Sequence, residues 1–216
     1  MKKITSAILI ISMLLCGVIL SSCEEGFEEF TYNDGRIVSE DDGRAYIPAP
    51  MGFQPCGVGE KCALRDGAFD LYEVLDADGN AVSTDDWLTE EYAGAATSVY
   101  YREGITLPAY YEIDYDECYL CEEKSTYIKF ATIDDKELID TLIGKAAGGA
   151  SAVILDDPTA SYTLKFHSKD FPAILYSVDY LVFEYGAYLF NRTDRTYADV
   201  AGLLDDYVAP AETETQ

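Results

Sequence analysis

The chain has 216 residues and carries 40 Asp and Glu against 15 Lys and Arg, a formal charge of −25 at neutral pH. So acidic a chain lacks the basic stripe that phosphate-backbone binding needs, which excludes nucleic acid as a partner and peripheral docking on anionic lipid with it. The length suits one domain, or two small ones, with a real core, and the charge favours solubility, cationic partners and loosely held divalent cations. Tyrosine is abundant, at 18 residues, with nine Phe and a single Trp. Tyr-rich chains build β-sheets with half-buried rings, and such rings can also stack on a glycan.

The chain opens Met1-Lys2-Lys3, followed by an apolar stretch from Ile4 to Leu20 broken only by small residues. These are the charged and apolar regions of a secretory signal. The stretch ends Leu20-Ser21-Ser22-Cys23. These residues resemble the lipobox of bacterial lipoproteins, an aliphatic residue and two small ones before a lipidated cysteine. Cys16 fits poorly, because Leu14 and Leu15 precede it. The resemblance covers residues 1–23 alone. It implies cleavage after Ser22, a diacylglyceryl thioether on Cys23 and a further acyl chain, such as palmitate, on the new amino group. Two or more chains anchor stably, at about 0.8 kcal/mol per buried methylene, where one is marginal. An uncleaved spanning helix and cleavage with release are the alternatives. Removal of residues 1–22 leaves 194 residues and takes away two lysines, so the charge goes from −25 to −27.

Residues 24–42 are acidic and Gly-interrupted, and with Cys23 they read as a flexible tether, 23–42. A domain over 43–209 follows, with a division into two subdomains near 122–125, and a polar tail, 210–216. Ala68 to Asp76 alternates as a strand, and Asp76-Ala77-Asp78-Gly79-Asn80 reads as a hairpin turn. Trp87 to Tyr92 reads as a short helix after Ser83-Thr84. Ser98 to Arg102, Tyr110 to Asp114, Glu117 to Cys121 and Thr126 to Thr132 are further strand candidates.

Asp134 with Glu137 forms a capping box for a helix whose apolar pairs are Leu138 with Leu142 and Ile139 with Ile143, ending near Gly148-Gly149. Ser161 to Phe166, Ile174 to Glu184 and Ala187 to Asn191 carry the strongest strand signals, with a turn at Tyr185-Gly186. A last helix from Thr196 is expected, because Val200, Leu203, Leu204 and Tyr207 fall on one helical stripe. The expected fold is α+β, a mostly antiparallel sheet with two amphipathic helices packed on it.

Four cysteines follow Cys23: Cys56, Cys62, Cys118 and Cys121. An even number outside the cytoplasm suggests disulfides. Local pairs, Cys56–Cys62 and Cys118–Cys121, are favoured, although a strand over Glu117 to Cys121 would point the second pair to opposite faces. Free thiols, a metal site and redox catalysis are the alternatives. Only Cys118 and Cys121 have zinc-knuckle spacing, and no helix follows them closely enough for a redox motif.

His167 is the only histidine and reads as a strand-end residue, since Ser168 beside it would face away and no Gly-x-Ser-x-Gly elbow exists. Asp76, Asp78 and Asn80 are weak calcium candidates, with Gly79 too early for an EF-hand. Acid pairs at Asp85-Asp86, Asp156-Asp157 and Asp205-Asp206 keep a carboxylate hydrolase in view. No phosphate-cradling loop is present.

The sequence thus points to a lipid-anchored protein of a cell membrane or outer membrane, on the extracytoplasmic side. Its expected role is a non-enzymatic binding or envelope-interaction module with a cationic or glycan partner and no cofactor beyond the acyl chains. A carboxylate hydrolase and a solute-binding lipoprotein are the rivals.

Overall fold

The computed structural model of the protein describes residues 26–91, 98–122, 129–151 and 157–208. The signal segment, Cys23, Asp156 and the tail 210–216 lie outside them. In chain order the strands are β1 (Glu28–Asn33), β2 (Arg36–Ser39), β3 (Ala45–Pro48), β4 (Phe53–Pro55), β5 (Gly57–Arg65), β6 (Phe69–Leu75), β7 (Trp87–Glu90) and β8 (Ser98–Arg102). A 3-10 turn at Tyr110–Glu112 leads to β9 (Glu117–Glu122), β10 (Lys129–Ile133) and the helix α1 (Lys136–Ala147). Then come β11 (Ala160–His167), β12 (Ile174–Phe183), β13 (Gly186–Asn191) and β14 (Thr196–Asp199).

Half of the described residues lie in strands and 9% are helical, with one α-helix among them. The protein is mostly β, and the expected α+β sheet with two amphipathic helices is overturned. Seven strands close a barrel in the order β1-β2-β3-β8-β7-β6-β5, and the parallel pairing of β1 with β5 shuts it. Its interior is filled by Phe30, Ile37, Tyr46, Ala63, Leu71, Leu88 and Tyr100. Two of its hairpins turn at Asp34-Gly35 and Asp66-Gly67, where all four residues take positive φ. That is the Asp-Gly turn whose twist matches paired strands.

The second sheet runs β10-β9-β11-β12-β13-β14, and β4 pairs with the start of β12. Ile139, Leu142, Ile143 and Ala146 of α1 pack on one face of it with Leu120, Leu164, Phe166, Val178 and Leu189. Val74, Trp87 and Val99 from the barrel join the same core. The barrel gives way to the second sheet within residues 103–116, ahead of the 122–125 division expected. None of the described helices is long and apolar enough to cross a membrane.

Four expected elements are corrected. Residues 28–39 of the expected tether are β1 and β2: Phe30 and Ile37 point into the barrel, and Glu28 is held by Arg44. Trp87 to Glu90 is a strand buried on both faces, with Leu88 inside the barrel and Trp87 in the shared core. Tyr110 to Asp114 is not a strand but begins with the 3-10 turn. The last helix is replaced by β14 and a run of turns, with Gly202 at φ +81° inside the stripe. Val200 and Leu204 are still buried, delivered by turns. The helix α1 is capped one residue later than expected. The Asp135 carboxylate accepts from the Glu137 and Leu138 amides.

Candidate functional site

Strand register decides which side chains of the second sheet share a face. On β9 and β11, Cys121 lies opposite Thr163, Tyr119 opposite Lys165 and Glu117 opposite His167. On β11 and β12, Asp179 lies opposite Thr163, Ser177 opposite Lys165 and Leu175 opposite His167. Directly opposed residues project to the same side, with Cβ atoms about 4.5–5.5 Å apart. Leu120, Leu164, Phe166, Tyr176 and Val178 take the other side and form the core. The polar set therefore looks away from the core, on what we call the outer face.

Polar residues on an outward face are ordinary, but buried ones are not. Thr163, Lys165, His167, Ser177 and Asp179 are all buried. Some of this polarity is matched. The Arg192 guanidinium donates to both Asp179 oxygens at 2.7 Å. The Tyr119 hydroxyl donates to Glu117 at 2.8 Å, its ring lies nearly parallel to that of His167, and the Lys129 ammonium sits 4.1 Å from the Tyr119 ring centroid.

The centre of the face is not matched. Ser177 Oγ and His167 Nε2 have no hydrogen-bond partner. Among the described residues no carboxylate pairs with Lys165, which retains 8% exposure. Burial pushes the Lys165 ammonium below the usual lysine range, with Cys121 and Cys56 nearby opposing the shift. An unsatisfied buried donor or acceptor costs about 1–3 kcal/mol, and an unpaired buried charge costs more. Two unpartnered polar atoms thus stand beside a lysine that no carboxylate among the described residues pairs with.

Two other buried polar groups are structural. In the barrel, Arg65 clasps Glu90 through two bonds of 2.8 and 2.9 Å, and the Tyr100 hydroxyl donates to Glu90 at 3.1 Å. Asn191 is the hub of a network. Its amide donates to Tyr110 Oη, Ala146 O and Asp194 Oδ2 and accepts from Tyr176 Oη and the Thr193 amide. Tyr110 stacks on Tyr176 at 4.3 Å. This ties α1, β12, β13 and the 3-10 turn together.

The residues singled out in the sequence scatter. Cys56, Cys62, Cys118 and Cys121 are free thiols. The expected local disulfides are not present in this structure. Cys118 and Cys121 stand three residues apart on β9 and so face opposite ways, and Cys62 sits inside β5, extended away from Cys56. Burial pushes the Cys56 thiol up to about 12 and the Cys62 thiol up to about 11. His167 is at the end of β11, and Ser168 is its neighbour in the following turn.

Asp76 uses its carboxylate on the amides of Asp78 and Asn80, which fixes the β6–β7 hairpin and holds its pKa below the usual range. Asp78 and Asn80 are exposed in that turn. Among the described residues no three His, Cys, Asp or Glu side chains are placed to hold a metal ion together. Of the acid pairs, Asp85 binds Arg44 and Asp86 binds Arg102, while Asp157, Asp205 and Asp206 are exposed.

Sequence reasoning missed Lys165, Ser177 and Asn191. Alternation along Thr163, Lys165 and His167 put these three on one face, but only the pairing with Ser177 and Tyr119 reveals the cluster. A scan against protein-family models, a search of curated proteins and a search of solved structures each returned no match.

Proposed function

We propose that this chain is a lipoprotein held by acyl chains on Cys23 at the extracytoplasmic side of a cell or outer membrane, where its β-barrel and second sheet serve as a non-enzymatic binding module. The observation that carries the reading is Leu20-Ser21-Ser22-Cys23 at the end of an apolar run, with only residues 24–27 before β1. The outer face of the second sheet is the part of the body offered for binding. The carboxylate-hydrolase alternative has less support, because Asp85 and Asp86 are engaged with arginines.

The test is palmitate labelling and membrane fractionation of the parent and of Cys23→Ala, with mass spectrometry of the first peptide. Acyl mass on the residue-23 peptide, lost together with membrane retention in C23A, is the expected result. An unmodified residue-23 peptide, or equal retention of C23A, overturns the proposal.

A further inference from the structure

The surface as a whole is negative, yet the outer face of the second sheet is built for the opposite sign. We propose that this face binds a small oxyanion, a carboxylate or phosphate group, on the Lys165 ammonium, with the Ser177 hydroxyl and the His167 imidazole as further donors. This deepens the binding-module reading above and rests on it.

Three observations converge. Lys165 lies in the middle of the sheet, directly between Tyr119 and Ser177, and is paired with no carboxylate among the described residues of a chain that has 40 acids. Ser177 and His167, 4% and 8% exposed, each present a polar atom without a partner, one opposite Lys165 and one two residues along β11 from it. Of the acids on the face, Asp179 is neutralised by the Arg192 fork, while Glu117 accepts from the Tyr119 hydroxyl and keeps its charge opposite His167. At Lys165 itself an oxyanion meets an ammonium, a hydroxyl and, with the proton on Nε2, an imidazole N–H. Charge-assisted bonds of this kind are the strong ones. The low exposure of Lys165 limits the site to a small group rather than a flat macromolecular surface.

The remaining negative charge of the protein does not forbid such a ligand. Charges beyond about 8–10 Å are largely screened at physiological ionic strength. On the same face Lys129, held against the Tyr119 ring, carries a positive charge and Glu117 a negative one.

The experiment titrates the mature lipidated protein in detergent with inorganic phosphate, and separately with acetate, at an ionic strength held constant with sodium chloride. Heat release and melting temperature are both followed. A saturable signal absent from the chloride arm is expected with one of the two anions or both, and the arm that responds separates phosphate from carboxylate. Lys165→Met should weaken binding at least about tenfold, while Lys145→Met on the exposed end of α1 leaves it unchanged. No saturable signal in either arm, or binding by K165M equal to the parent, overturns the proposal.

Should K165M fold poorly, lysine acetylation of the parent gives a second readout. The anion should slow modification of Lys165 and not of Lys145, and equal rates with and without it count against the site. The acyl mass at Cys23 is read from the same preparation, so failure of the anchor and failure of the anion site are separately visible.

Discussion

Truncating Asn191 to alanine should cost about 3 kcal/mol. The side chain is 1% exposed and makes five hydrogen bonds, to Tyr110 Oη at 2.8 Å, Ala146 O at 3.2 Å and Asp194 Oδ2 at 3.1 Å as donor, and from Tyr176 Oη at 2.7 Å and Thr193 N at 3.0 Å as acceptor. Not all of them are lost outright. Tyr176 keeps its contact with the Thr193 hydroxyl, and Tyr110 keeps its bond to Asp194. The Ala146 carbonyl and the Thr193 amide lose the bonds described. Each orphaned buried group costs about 1–3 kcal/mol, and the missing amide leaves a void beside the stacked Tyr110–Tyr176 pair. At roughly 2–4 °C per kcal/mol for a protein of this size, the melting temperature should fall by about 10 °C. Urea unfolding of N191A against the parent, with an unchanged denaturant slope, measures the loss. A loss below about 1 kcal/mol would refute the view that this network clamps α1 to β13.

Gly52 sits at φ +101°, and a Cβ there would come within 2.7 Å of the Tyr176 ring and 2.8 Å of Thr193 Oγ1. Gly52→Ala should therefore destabilise by about 2 kcal/mol or more, read by the same urea melts. Stability should also fall at alkaline pH. Burial raises Tyr46 and Tyr176 from 10.0 to about 12, so their contribution is whole below pH 10. Between pH 10 and about 12 the unfolded chain releases its protons first, and stability declines as pH rises. Denaturant melts at stepped pH, alongside tyrosinate absorbance, check this, and a flat profile across that interval refutes it. Finally, native protein should react slowly with alkylating reagents near neutral pH, and denatured protein without reductant should gain four alkyl groups, on Cys56, Cys62, Cys118 and Cys121. A gain of none or two would mean that disulfides form.

The strands that could be read from the sequence are those whose own residues settle the matter. Ser98–Arg102 forms β8 as expected, and the long apolar alternation from Ile174 became β12. The helix α1 announced itself through its acidic cap and its Ile139, Leu142, Ile143 face. The barrel was hidden because its strands are short and its inward positions are few. β1 and β2 contribute Phe30 and Ile37 to the interior, and the Asp-Gly turn between them, with Glu28, Glu29 and Glu40 to Asp42 on either side, resembles a solvated linker. β7 was hidden for the opposite reason. All four of its residues are buried, so no alternation survives to distinguish a strand from a helix. The outer-face cluster was not legible because it depends on partners 12 to 46 positions away along the chain, joined only by register.

The parallel seam between β1 and β5 also sets how the body would bear a load. On the proposed anchoring at Cys23, a pull would reach the described body at β1, which is paired with β2 on one flank and β5 on the other. On that anchoring, the barrel would thus be held through a strand paired on both of its flanks.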